Sequence, residues 1–171
     1  MRNVAIFRGV LAVVAAGAVL AVLPAPAAAQ GVGPYQYHSL TPCRLADTRD
    51  ATFNPNGPPI LAGQTARTFI VQGRCLVPIG AKAVSVNVTA VGPNGAGYLT
   101  LWPTGVTMPV VSSINFAKGE PALGNGAIVP LGTYSATAPY DLSIYSRVVG
   151  PGAGETGGTV HMVLDVTGYF Q

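Results

Sequence analysis

Ten residues near the start of the chain, "TPCRLADTRD" at 41–50, combine the residue types most able to do chemistry. They include one of the two cysteines, two arginines and two aspartates, whereas charged residues make up only 9% of the chain. Guanidinium and carboxylate groups can bind an ion, or they can satisfy each other as a structural clasp. Because no convergent third group can be inferred for a binding or catalytic site, the clasp is the favoured interpretation.

Spacing within this stretch predicts which side chains meet. Residues two apart share one face of a strand, so Asp47 and Arg49 are expected to be neighbours, with Arg44 on the opposite face. We interpret Arg44, Asp47 and Arg49 as a structural polar cluster. The alternatives are an anion receptor built on Arg44 and Arg49, or a cation site built on Asp47 and Asp50.

A second candidate lies in "GYLTLWP", where Tyr98, Thr100 and Trp102 share one parity and Leu99 and Leu101 share the other. If the leucines face a core, the other three side chains form an exposed strip. Flat aromatic rings in such a strip can hold the apolar faces of sugar rings. The alternative is that these aromatics pack beneath a loop or a neighbouring sheet, because large aromatics are usually buried.

A third possibility is a hydrolase whose residues come from several loops, with His161, Asp165, Asp47 and Asp141 as the nearest candidates. Within one strand, His161 and Asp165 would lie about 13 Å apart, too far for a direct hydrogen bond. The common nucleophile and metalloprotease motifs are absent from the sequence. With no C-x-x-C pair and two histidines, the sequence predicts no metal site and no cofactor.

The first 29 residues have the pattern of a secretory signal peptide. Arg2 and Arg8 precede the apolar run Val10–Leu23, and Ala27–Ala29 supply small residues for cleavage. A membrane span would need about 20 apolar residues, more than lie between Arg8 and Pro24. We therefore expect an exported protein with a signal peptide at 1–29, a single mature domain at 30–171 and no membrane span after cleavage.

The mature chain is nearly neutral, although the whole sequence carries a charge of +3. Loss of two arginines with the leader leaves seven basic residues against six acidic ones, a net charge of +1. Because the basic residues are scattered singly, nucleic acid is not expected as a partner. Polysaccharide or cell-envelope components are the expected partners, and self-association is left open.

Alternation of apolar and polar residues recurs through the mature chain, as at Val84–Thr89, and indicates strands with one buried face. Similar runs occur at 67–72, 98–102, 111–116, 141–148 and 160–169, separated by Gly, Pro and Asn turn formers such as Gly124–Gly126. The pattern predicts an all-β, single-domain antiparallel β-sandwich, with jelly-roll or immunoglobulin-like topology undecided. Apart from His161 and Asp165, the last run is apolar on both parities, which predicts a central strand covered on both sides.

Two cysteines in an exported chain suggest one disulfide, Cys43 with Cys75; two free buried thiols are the alternative.

Six ordered motifs, "PCRLADTR", "GRC", "AVSVNVTAV", "GYLTLWP", "SSINFAKGE" and "LDVTGYF", resemble a β-rich extracellular module. That module recurs in exported proteins of soil-dwelling bacteria, alone, in tandem or appended to secreted enzymes. The resemblance spans Tyr37 to Phe170 and departs from the module's pattern at "EPALGNGAIVPLG". It implies the Cys43–Cys75 pair and an accessory or surface role, and it supplies no catalytic residues.

From these observations we expect a non-enzymatic secreted or cell-surface module that acts in adhesion or structural association. The first alternative is a carbohydrate-binding module that uses the strip of Tyr98, Thr100 and Trp102. The second alternative is a secreted hydrolase.

Overall fold

The computed structural model describes residues 33–150 and 157–171, so the predicted signal peptide at 1–29 lies outside the described residues. A single short 3₁₀ helix, Ala51–Phe53, accompanies the strands of this part of the chain. The strands are β1 (Tyr37–Asp47), β2 (Leu61–Ala62), β3 (Thr65–Phe69), β4 (Ala83–Val91), β5 (Gly97–Pro103), β6 (Ile114–Phe116), β7 (Ala122–Pro130), β8 (Leu142–Val148) and β9 (Thr159–Phe170). No helix within the described ranges is long and apolar enough to cross a membrane.

Two antiparallel sheets form the part of the chain that the structure describes, and they confirm the predicted β-sandwich. The first sheet has the order β1-β9-β4-β7, with β2 also pairing with β9. The second sheet has the order β3-β8-β5-β6. Since β9 lies between β1 and β4, the predicted central position of the final strand is also confirmed. The strand is not covered on both sides as predicted, because His161, Asp165 and Thr167 on its outer face are partly exposed.

The core lies between the two sheets and follows the predicted alternation. In β4, Val84, Val86 and Val88 are buried, while the residues between them are partly exposed. Leu99 and Leu101 of β5 enter the same core from the second sheet. Full burial of one such aliphatic side chain is worth about 1.5–3 kcal/mol relative to exposure, so this pattern drives the two sheets together.

The main difference from the predicted strands is β7. The sequence pattern assigned Gly124–Gly126 to a turn, but the structure places these residues in the middle of a nine-residue strand. All nine residues of β7 pair with β4 in continuous register. Pairing with a strongly β-forming neighbour therefore overrides the local turn preference of glycine and asparagine.

Candidate functional site

The polar cluster lies on the outer face of the first sheet, where β1 pairs with β9. Arg44 is opposite Asp165 and Asp47 is opposite Val163, and the pairing register shifts between Arg44 and Ala46. This irregularity brings Arg44 and Asp47 to the same face, with 3.5 Å between Arg44 Nη1 and Asp47 Oδ2. The expectation that Arg44 and Asp47 lie on opposite faces is therefore wrong, because a bulge resets the period-two alternation.

Asp47 is the centre of this cluster and is only 5% exposed. Arg49 donates from Nε to Oδ1 at 2.8 Å and from Nη2 to Oδ2 at 2.6 Å, and its backbone N–H also donates to Oδ1. These hydrogen bonds from Arg49 hold the pKa of Asp47 below its ordinary value. The predicted contact of Asp47 with Arg49 is present, but β1 ends at Asp47 and Arg49 lies in the turn that follows, not on the same face of a strand. The Asp50 N–H closes this turn by donating to the Asp47 carbonyl at 3.1 Å.

Arg44 reaches a second carboxylate, that of Asp165, with 2.9 Å from Nε to Oδ1 and 3.2 Å from Nη2 to Oδ2. The hydrogen bond from Arg44 to Asp165 raises the pKa of Arg44. Each guanidinium therefore faces a carboxylate of the protein itself, as the clasp interpretation requires. Asp50, offered with Asp47 as a cation site, instead accepts the backbone N–H of Thr52 at the start of the 3₁₀ helix.

The disulfide confirms the predicted pairing of Cys43 with Cys75. The two Cα atoms are 5.7 Å apart, and the bond ties β1 to the segment that follows β3. Because Cys43, Arg44 and Asp47 all belong to β1, the covalent and ionic links act on the same strand. This strand forms one edge of the first sheet, where β9 is its only strand neighbour among the described residues.

Asn56 is a further residue of this region that sequence reasoning missed. Its side chain is fully buried and donates from Nδ2 to the carbonyls of Leu45 and Ile70, while its Oδ1 accepts the Ile70 N–H at 2.9 Å. It thereby links β1 of the first sheet to the chain leaving β3 of the second. The sequence around it predicts a turn, but nothing local distinguishes Asn56 from the exposed Asn54.

The hydrolase candidates have separate structural partners. His161 Nδ1 lies 3.1 Å from Thr48 Oγ1, which also accepts the backbone N–H of Met162. Asp47 and Asp165 pair with arginines, as described above. Among the described residues, no three His, Cys, Asp or Glu side chains are grouped so that they could hold a metal ion.

Asp141 immediately precedes β8, which belongs to the sheet opposite His161 and Asp165, and its side chain is fully buried. It accepts the backbone N–H groups of Val71 and Gln72, both at 2.8 Å. Burial raises the pKa of Asp141, against the effect of these hydrogen bonds. Its contacts therefore connect the start of β8 to the segment after β3.

Of the three residues of the strip on β5, only Tyr98 is partly exposed, and the alternative that the aromatics pack beneath a loop holds for Trp102. Leu99 and Leu101 face the core as expected, but Thr100 is 1% exposed and Trp102 is 8% exposed. The cause is the segment at 104–113, which follows β5 and bonds back to it. Thr100 Oγ1 donates to the carbonyl of Val111 at 2.6 Å, and Trp102 Nε1 donates to the carbonyl of Val106 at 3.2 Å.

This segment, residues 104–113, presents apolar side chains to solvent, and we call it the apolar loop. Val106, Met108, Val110 and Val111 are 40% or more exposed, and Val110 is fully exposed. The loop contains no charged residue. Its second end is held where Ser113 Oγ accepts the backbone N–H of Leu101.

Comparison with known proteins gives no assignment: no protein-family model matches the chain, and no curated protein matches it significantly. The class that the structure defines is a disulfide-linked antiparallel β-sandwich. A fold of this kind hosts many functions, so the function of this chain depends on its particular surfaces.

Proposed function

We propose that the protein is a non-enzymatic exported module that acts in adhesion or structural association at the cell surface or in the extracellular matrix. The observation that carries this proposal is the apolar loop, with four exposed apolar side chains within six residues. Apolar side chains concentrated on one exposed element are typical of surfaces that bind another macromolecule. The partners expected from the sequence, polysaccharide or cell-envelope components, fit such an accessory role.

The apolar loop is well suited to binding because it is already held in place. Hydrogen bonds from the buried Thr100 and Trp102 side chains fix the carbonyls of Val111 and Val106. A loop that is ordered before binding loses less conformational entropy when it meets a partner. In this proposal Thr100 and Trp102 position the binding loop and do not contact the partner themselves.

Retention on washed cell-envelope and cell-wall polymer preparations tests the proposal. We expect the purified mature protein to be retained, and a Val110→Asp, Val111→Asp double variant to be retained at least about tenfold less, since a charge in an apolar contact is costly. Leu76→Asp is the matched control, because Leu76 is 84% exposed on a different loop. Equal retention of the loop variant, or no retention of the parent protein, would contradict the proposal.

The non-enzymatic part is tested with a panel of glycoside, ester and peptide substrates. Turnover that disappears in His161→Ala would contradict it and favour the hydrolase alternative. The matching control is His38→Ala, because His38 is the other histidine of the chain and stacks on Tyr169.

Carbohydrate binding is a second candidate, supported by Tyr98 rather than by the whole predicted strip. Tyr98 is partly exposed, and its ring centroid lies 6.3 Å from that of Tyr145 on the neighbouring strand. The two rings are tilted by 48°, so one sugar face would stack on one ring at a time. Reduced retention of Tyr98→Ala on insoluble polysaccharide, with Val110→Asp unaffected, would favour this candidate over the apolar loop.

A further inference from the structure

Strand β7 leaves one long edge of the first sheet open. It pairs with β4 along all nine residues, and no backbone hydrogen bond joins Ala122–Pro130 to any other described residue. The Leu131 N–H donates to the carbonyl of Lys82, which shows that odd-numbered residues of this segment point their backbone groups toward β4. Even-numbered residues therefore direct theirs to the open edge, and Pro130, which has no N–H, lies at such a position.

Except for Pro130 at its end, this edge lacks the features that normally prevent strands from pairing. Natural edges are protected by charged side chains, proline, bulges or short length. β7 has no charged residue between Ala122 and Pro130, and its register with β4 has no shift. By contrast, β1 at the other edge contains two register shifts and carries Arg44 and Asp47. In the second sheet, the edge strands β3 and β6 have five and three residues.

The side chains beside this edge are self-complementary. Ile128 is 65% exposed on the outer face, where it borders an open cleft of about 460 Å³ that Gly126 and Asn87 also line. Gly124 and Gly126 share that face, and a Cβ built on Gly126 would meet nothing within 4 Å. A strand that places an isoleucine opposite these glycines would therefore cover bare backbone without a clash.

We propose that the protein forms a two-fold dimer in which the β7 strands of two copies pair antiparallel about Gly126. In this register Gly124 of each copy lies opposite Ile128 of the other, so each isoleucine covers the other's glycines. The edge-facing groups of Ala122, Gly124, Gly126 and Ile128, with the Pro130 carbonyl, form about eight backbone hydrogen bonds. The two five-stranded sheets become one continuous sheet.

In naming a second copy as a partner, this inference rests on the proposed associative function, but it uses different residues from the apolar loop. A dimer would carry two apolar loops, and two linked weak contacts bind a surface far more strongly than one. A monomer that is still retained on envelope preparations would overturn the dimer and leave the proposed function standing. A dimer that is not retained would contradict the proposed function and leave the dimer standing.

Sedimentation velocity of the mature protein over a range of concentrations tests the dimer. We expect a concentration-dependent dimer, and a dissociation constant at least about tenfold higher for Ile128→Lys and for Gly126→Pro, the latter removing an N–H that β4 does not use. Val110→Lys adds the same charge to the apolar loop and should leave the dimer unchanged. Circular dichroism of each variant establishes that it is folded. A purely monomeric parent protein, or folded variants that dimerise as well as the parent, would overturn the proposal.

Cysteine cross-linking tests the register. Residues directly opposite in a hydrogen-bonded antiparallel pair have Cα atoms about 5.5 Å apart, within the range of a disulfide. Gly126→Cys should therefore form a covalent dimer under mild oxidation. Gly124→Cys should not, because the two copies of residue 124 are four residues out of register. The opposite result, cross-linking through residue 124 and none through residue 126, would overturn the proposed pairing.

Discussion

Arg49 holds the buried carboxylate of Asp47 at both oxygens, with 2.8 Å from Nε to Oδ1 and 2.6 Å from Nη2 to Oδ2. We expect Asp47→Asn to lower the free energy of unfolding by about 2 kcal/mol, because it weakens charge-assisted hydrogen bonds to a buried group. For a domain of this size, the melting temperature should fall by roughly 5–10 °C.

Denaturant unfolding followed by circular dichroism measures this difference. Asp50→Asn is the matched control, since Asp50 is exposed and asparagine caps a helix start as well as aspartate does. If Asp47→Asn were as stable as Asp50→Asn, the polar cluster would not be a clasp.

Acid should remove the contribution of Asp47. Its folded-state pKa is lowered by Arg49, so its stabilisation is present above the ordinary aspartate pKa of about 3.9 and is lost as the pH falls through the lower folded value. The parent protein should therefore lose its advantage over Asp47→Asn below about pH 4. The pKa of Asp141 is raised, so its contribution to the free energy of unfolding changes with pH in the opposite direction. Both proteins contain Asp141, so this contribution cancels when they are compared. A difference in stability that does not change between pH 7 and pH 2 would contradict this assignment.

The disulfide between Cys43 and Cys75 should contribute about 3–4 kcal/mol, because it closes a long loop in the unfolded chain. Intact mass should rise by two hydrogens when the native protein is reduced and denatured. The Cys43→Ser, Cys75→Ser double variant should melt well below the parent protein. Native protein with two free thiols would disprove the covalent half of the clasp.

Asn56→Ala should be among the most destabilising single changes in the loop after β1. It leaves the Ile70 N–H and the Leu45 and Ile70 carbonyls without their partner in a buried site, at a cost of about 3 kcal/mol. Asn115→Ala is the control, because Asn115 is exposed on β6 and bonds only to a serine side chain. Equal unfolding free energies for the two variants would show that Asn56 does not join the sheets.

Thr100→Val should loosen the apolar loop while leaving the core intact. The change removes the 2.6 Å hydrogen bond to the Val111 carbonyl and nearly preserves side-chain volume. We expect faster cleavage within 104–113 by thermolysin, which cuts before apolar residues, and a smaller change in melting temperature than in Asp47→Asn. Thr107→Val, at an exposed position of the same loop, is the control. Unchanged cleavage would mean that Thr100 does not hold the loop.

Part of the polar cluster could be predicted from the sequence, because Asp47 and Arg49 are close along the chain. Asp47 and Arg49 are two residues apart, and the turn that follows β1 brings them together, with the Asp50 N–H donating to the Asp47 carbonyl at 3.1 Å. Arg44 reaches Asp47 and Asp165 only because the register of β1 shifts against β9. Such a shift depends on a pairing between residues more than a hundred positions apart, and local alternation contains no information about it.

By itself, the sequence determined the fold class and the core face of β4, because side chains of a strand alternate with a period of two and burial selects the apolar set. The even number of cysteines in a chain expected to be exported indicated the disulfide. Only the tertiary structure decided that Trp102 lies beneath the apolar loop, that Asn56 links the sheets and that Gly124–Gly126 extend a strand. The physical reason is that burial of an amphipathic aromatic, satisfaction of a buried amide and pairing of a glycine-rich strand all depend on partners distant in the chain. Those partners become neighbours only when the two sheets have come together.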